Sequence, residues 1–198
     1  MRNTIIAVVI GLLLLVGGCN SYNGMVKSKI GVDAAWANVE SAYQRRSDLI
    51  TNLVETVKGA SNFEKQTLVD VIEARSKATQ VKIDPSNITP EQLAEFQKAQ
   101  SQVSSSLSRL LVVSESYPQL QAVQAFRDLS LEIAGTENRI KVERDRYNEI
   151  VKGYNSDISV MPRALLARIF GFTDRAFFKA DEGTNKSPKV NFGNNETK

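Results

Sequence analysis

The sequence predicts an all-α protein, an antiparallel up-and-down four-helix bundle behind an N-terminal signal or anchor segment. Three observations carry that reading. Val32, Trp36, Val39, Tyr43, Arg46, Ile50, Leu53 and Val57 recur at alternating spacings of 4 and 3, a heptad seam with one charge set into it. Helix stops and starts stand at Gly59, Asp84-Pro85, Thr89-Pro90 and Tyr117-Pro118. No stretch reads as a strand, and at 198 residues the chain is one domain's worth, long enough to bury a core.

The first 19 residues, MRNTIIAVVIGLLLLVGGC, place one basic residue, Arg2, before an apolar run from Ile5 to Val16. As a helix, Ile5 to Cys19 spans about 22 Å, short of the roughly 30 Å hydrocarbon core, which is signal-peptide geometry. Val16-Gly17-Gly18 before Cys19 resembles the bacterial lipobox, with Val16 where Leu is usual and Gly17 where Ala or Ser is usual. On that reading Cys19 is the acylated first residue of the mature chain; on the other, residues 1–19 are an uncleaved signal anchor. Either way the bundle is expected on the extracytoplasmic side of a bacterial membrane. Cys19 is the sole cysteine, so no disulfide within one chain supports the fold.

Residues 20–27 read as a polar tether and 28–158 as the bundle. The first helix runs from 28 to 58, with Gly59 placed to end it in a left-handed conformation. Ser61 to Glu64 fits the S-x-x-E capping box and starts a second helix over 62–81. Its inner face is formed by Leu68, Ile72, Arg75 and Thr79, or by Val71 and Ala78. Thr89-Pro90-Glu91-Gln92 starts a third helix over 90–115, with Leu93, Phe96, Val103, Leu107 and Leu110 on a seam that Gln100 interrupts. Ser104 to Ser106 reads as a weakly helical, solvent-facing turn within it. A fourth helix over 118–158 carries Phe126, Leu129, Ile133, Thr136, Ile140, Glu143, Tyr147, Ile150 and Tyr154 on one face.

Residues 159–182 form a C-terminal capping segment, and 183–198 a polar, flexible tail. Within the capping segment, 164–178 is short, aromatic and basic. It either closes the open end of the bundle or lies on a lipid surface, as amphipathic basic-aromatic segments do.

The chemistry classes narrow quickly. The chain has no histidine, which removes the Ser-His dyad, an imidazole base and the Glu-x-x-His motif of bundle di-metal sites. No Gly-rich phosphate loop follows a strand. A formal charge of +3 with bases scattered among acids leaves no nucleic-acid footprint. The expectation is a protein without catalysis, cofactor or metal. Arg46 is the sharpest polar feature. Antiparallel packing of the first and fourth helices sets it beside residues 131–140, and pairing with Glu137 would fix register more than it adds stability. The alternative is a charge cluster that binds a ligand or partner. Tyr-Asn occurs at 22–23, 147–148 and 154–155, and Tyr147 and Tyr154 stand one heptad apart on the seam face. Their default use is structural, the other a recognition surface.

Ala35 to Gly59, Tyr117 to Gln121, Thr136 to Ile140, Tyr147 to Val151 and Phe170 to Phe172 together resemble the LemA family of bacterial membrane-associated proteins. The resemblance runs down to Pro188-Lys189-Val190, with Thr51 standing where the family commonly has proline. It implies a four-helix up-and-down bundle tethered by its N-terminus, with no known activity or cofactor. Arg45, Arg46, Glu137, Asn138 and Arg139 match its motif positions; Arg46 and Glu137 are the expected buried register pair, and Arg45, Asn138, Arg139, Tyr147 and Tyr154 the candidate interaction residues. The expected function is a membrane-anchored scaffold or interaction module of the bacterial envelope, with unidentified envelope proteins as partners. The alternatives are lipid-surface binding through 164–178, and an enzyme with a carboxylate or arginine site inside the bundle.

Overall fold

A heptad seam has to be covered, and most of the fold is the covering of one. A computed structural model describes residues 1–59 and 63–179. Every described element is helical: α1 (Arg2–Lys58), α2 (Lys65–Gln80), α3 (Pro90–Ser114), α4 (Pro118–Gln121), α5 (Gln124–Ser159) and α6 (Arg163–Phe170), with a short 3-10 turn at Pro85–Asn87. All eight residues of the α1 seam are buried, including Arg46. So are Leu93, Phe96, Val103, Leu107 and Leu110 of α3, and Phe126, Ile133, Thr136, Ile140, Tyr147 and Tyr154 of α5.

α1 and α5 run antiparallel along one another, as the pairs Ser28–Asp157 and Arg46–Glu137 show. α2 and α3 form a second pair across the loop that holds the 3-10 turn. The second pair is shorter. From Met25, where burial begins, to Lys58, α1 extends roughly 50 Å, whereas the 16 residues of α2 reach about 24 Å. α2 and α3 therefore cover the far part of α1 and α5, where Leu53, Val57, Val71, Leu107, Leu110 and Phe126 pack together. Nearer the N-terminus the cover comes from Ile88 of the loop, the start of α3, Ala167 of α6, and Ala176 and Phe178 of the segment that follows. Arg46 stands where these two apolar clusters meet, between Tyr43 of the first and Leu49 and Ile50 of the second.

Several expectations are corrected. Residues 20–27 are helical and continue α1; they are no tether. Asn20, Ser21, Asn23 and Gly24 are weak helix formers, but tertiary contact overrides propensity. Met25 is fully buried, Tyr22 packs edge-on to Phe170 with ring centroids 4.9 Å apart, and the Arg163 guanidinium lies against Gly24. Gly59 ends α1 in a right-handed conformation, its N–H donating to Glu55 O. α1 passes Thr51 unbroken, and the hydroxyl there donates to Ser47 O at 3.0 Å.

Residues 60–62 lie outside the described residues, so the Ser61 end of the expected capping box does too; α2 starts at Lys65, behind Glu64. Its buried face is Leu68, Val71, Ala74 and Ala78, and Ile72 and Thr79 are exposed. The expected fourth helix is broken near its start, because Val123 is extended between α4 and α5. At Thr89 the capping box forms as expected, with Thr89 Oγ1 accepting from Gln92 N–H and Gln92 Oε1 accepting from Thr89 N–H. The expected tail, 183–198, and residues 180–182 lie outside the described residues.

Candidate functional site

Two polar constructions stand out, one inside the helix packing and one along α5. Inside, Arg46 is 2% exposed. Its Nη1 donates to Glu137 Oε1 at 2.7 Å and to Ser104 Oγ at 2.8 Å. Its Nη2 donates to Gln100 Oε1 and, at 3.4 Å, to Gln100 O. The Tyr43 ring lies beneath the guanidinium, its centroid 5.0 Å from Cζ. A buried cation needs an opposite charge and hydrogen bonds for its remaining donors, and α1, α3 and α5 each supply part of that set. Ser104 and Gln100 are thus part of the arginine's shell. The expected solvent-facing turn at Ser104 to Ser106 is helical, with Ser104 half-buried and only Ser105 exposed.

Beside Arg46, between α1 and the α2–α3 pair, lies a cavity of about 290 Å³ lined by Tyr43, Arg46, Arg75, Ile83, Phe96 and Gln100 among others. Arg75 Nε donates to Ser47 O at 3.0 Å and Ser47 Oγ at 2.9 Å. Both arginines facing this space are already engaged by groups of the chain, and Glu40 and Lys82 also line it. On the outer face, Arg45 pairs with Glu132, both well exposed, and Arg139 lies 3.9 Å from Glu143. Asn138 is exposed beside them. Cys19 is exposed on α1, one turn and a half before Met25.

The second construction binds the chain to itself. After α6, Gly171 takes a left-handed conformation (φ 73°) and Phe172 N–H donates to Ala167 O, which turns the chain back. Residues 172–179 then run antiparallel to α5 as a non-helical strap. Asn155 and Arg175 exchange two hydrogen bonds, side-chain amide to backbone, both at 2.9 Å. Asn148 and Phe178 do the same at 3.0 and 2.8 Å, and Gln97 of α3 repeats it with Lys179 at 2.9 and 3.3 Å. The Tyr154 hydroxyl donates to Thr173 O at 3.0 Å, and that of Tyr147 to Ala176 O at 3.2 Å.

The spacing explains why this works. The two Tyr-Asn pairs lie 7 residues apart on a helix, and the strap residues they hold lie 3 apart in extended chain. Both distances are roughly 10 Å. Tyr147 and Tyr154 are therefore buried under the chain's own strap and offer no free recognition surface. Burial pushes the Tyr147 phenol up to about 12, and raises Tyr154 by the same cause, in each case against the opposing pull of Arg175. Phe178 fills the remaining gap, stacked on Trp36 with centroids 5.9 Å apart at 12°. Asn148, Asn155 and Gln97 were not among the residues expected to matter, although the Tyr-Asn repeat marked two of them.

Comparison with known proteins agrees with the sequence resemblance. Residues 35–192 match the model of the LemA family. The chain is similar to Protein LemA of Metamycoplasma hominis, 26% identical over 160 residues that cover 81% of this chain and 69% of that protein. It is similar at 26% identity over 175 residues to magnetosome protein MamQ 2 of Paramagnetospirillum magneticum. A third relative, MamQ of Magnetospirillum gryphiswaldense, is 25% identical over 174 residues. Each alignment with a magnetosome protein spans 64% of the relative's length, a little under two thirds.

Proposed function

The chain belongs to the LemA family, and from that premise we propose that it is a membrane-anchored, extracytoplasmic scaffold or interaction protein of the bacterial envelope, without catalysis. In this reading α1, α2, α3 and α5 act as one up-and-down four-helix bundle. The observation that carries it is the continuity of α1. Its first part is long and apolar enough to cross a membrane, and Ile5, Ile6, Val8, Val9, Ile10, Leu12, Leu13, Leu15 and Val16 are all exposed among the described residues. The same helix then enters the packed body without a break at Tyr22 to Met25. An exposed stripe of that size needs lipid around it, or removal at Cys19 with acyl chains in its place.

The cavity beside Arg46 supports an enzyme less well. Its arginines are held by Glu137, Gln100, Ser104 and Ser47, and neither is left to polarise a substrate. With no histidine in the chain and its one thiol in the N-terminal segment, an imidazole base and a thiolate nucleophile are both missing from the cavity.

The test is the intact mass of the chain extracted from membranes, beside a Cys19→Ser variant. Loss of residues 1–18 with a gain of diacylglycerol, abolished in the variant, makes it a lipoprotein. An unprocessed mass in the membrane fraction makes α1 a signal anchor. Recovery of the chain in the soluble fraction sinks the reading. Crosslinking from single cysteines on the outer faces of α1 and α5 then identifies the envelope partner.

A further inference from the structure

We propose that the outer face of α6 and the turn before it form an interfacial foot, seated in the headgroup region of the lipid bilayer that α1 enters. This rests on the membrane-anchored reading above. Val160, Met161, Leu165, Ile169 and Phe170 are all exposed, Met161 at 71% and Ile169 at 66%. Ala164 N–H donates to Val160 O across the turn that leads into α6. Leu165 and Ile169 are four apart on one face of α6, with Arg168 beside them, and Met161 is exposed in the turn before it. The opposite face of α6 is apolar too: Ala167 is buried, and Leu166 packs against the core. A helix apolar on both faces is a helix covered on both faces, and the described residues cover only one.

Position identifies what covers the other. Phe170 and Phe172 pack against Tyr22 of α1, with centroids 4.9 and 5.9 Å away. Tyr22 lies about 9 Å along the helix axis from Val16, the last residue of the apolar run. The polar zone of each leaflet is roughly 6 Å deep, so a helix touching Tyr22 sits at its margin, where aromatic and basic side chains are favoured. α6 carries no acid, and its exposed Arg168 suits the headgroups of anionic lipid, while Arg163 is paired with Asp157 at 2.7 Å. Elsewhere, exposed apolar residues such as Val112, Leu131 and Val142 stand singly on different helices or turns, the ordinary pattern of a wet surface. In the strap Arg175, Ala176 and Phe178 are buried and Phe177 stands singly exposed, so the contiguous exposed apolar surface of this region is 160–170.

The experiment uses the full chain carrying Cys19→Ser, reconstituted into vesicles of phosphatidylcholine and phosphatidylglycerol. A single cysteine labelled with an environment-sensitive dye is placed by Ile10→Cys, Ile169→Cys or Val142→Cys. The dye at 10 reports anchoring, and that at 142 reports water. Emission at 169 shifted to the blue and quenched by brominated lipid is the expected result. Emission at 169 that matches 142 while 10 reads lipid overturns the foot and leaves the anchor intact. A blue shift at 169 without lipid quenching also overturns it, because the face is then covered by protein. A dye at 10 that reads water overturns the anchored reading itself, and the foot with it.

Discussion

At the scale of single residues, Arg46 and Glu137 are unequal partners. The guanidinium is 2% exposed, while the Glu137 side chain keeps 39% of its surface. Removing the carboxylate leaves a buried cation without its counter-charge, a loss of about 3–5 kcal/mol. Removing the cation leaves a carboxylate that reaches water, and Arg46→Met fills the space with an unbranched apolar chain. Glu137→Ala is therefore expected to destabilise the fold more than Arg46→Met in paired urea titrations. Equal losses would mean that the pair matters chiefly through its packing. The strap tyrosines give a second expectation. Their raised pKa means that the folded chain keeps its protons after the unfolded chain, at about 10, has lost them. Stability is then full below about pH 10 and falls as pH climbs toward the folded value. Thermal melts across that range should show the alkaline decline, and Tyr147→Phe should make it shallower. A slope unaltered by the substitution would assign the decline to other groups.

At the scale of elements, the helices that could be read from the sequence are those whose cover is another helix. The seams of α1, α3 and α5 repeat every three or four residues because each meets a neighbour that repeats likewise, and their buried residues agree with that pattern. Even the charge at Arg46 and the break at Gln100 were visible as faults in the pattern, and the structure places both in one hydrogen-bonded group. The strap has no such period. Residues 172–179 are held by side-chain carboxamides gripping backbone, and backbone is the same whatever the sequence. Only the repeated Tyr-Asn on α5 recorded the strap, from the opposite side. The helical course of 20–27 was hidden for another reason: its residues are individually poor helix formers, kept helical by contacts with α6 far along the chain. Asn155→Ala is expected to free the Arg175 amide for hydrogen exchange while the α1 seam stays protected. Uniform loss of protection would show that strap and helices unfold as one unit.

At the scale of the whole molecule, the short α2–α3 pair leaves part of α1 and α5 uncovered, and α6 with the strap completes the cover. Trp36, the sole tryptophan, reports on that closure because it is buried between Phe96, Tyr147 and Phe178. Phe178→Ala is expected to cost about 3–5 kcal/mol and to move Trp36 emission to the red. An unshifted emission would mean that the gap refills from its neighbours. The strap's spacing has one more consequence. Its two Tyr-Asn grips work like the marks of a vernier, coinciding at a single setting. A strap slipped by one residue brings the next residue's amide and carbonyl to both carboxamides at once, and in extended chain these point the opposite way. Both grips are therefore set by the one register of the strap.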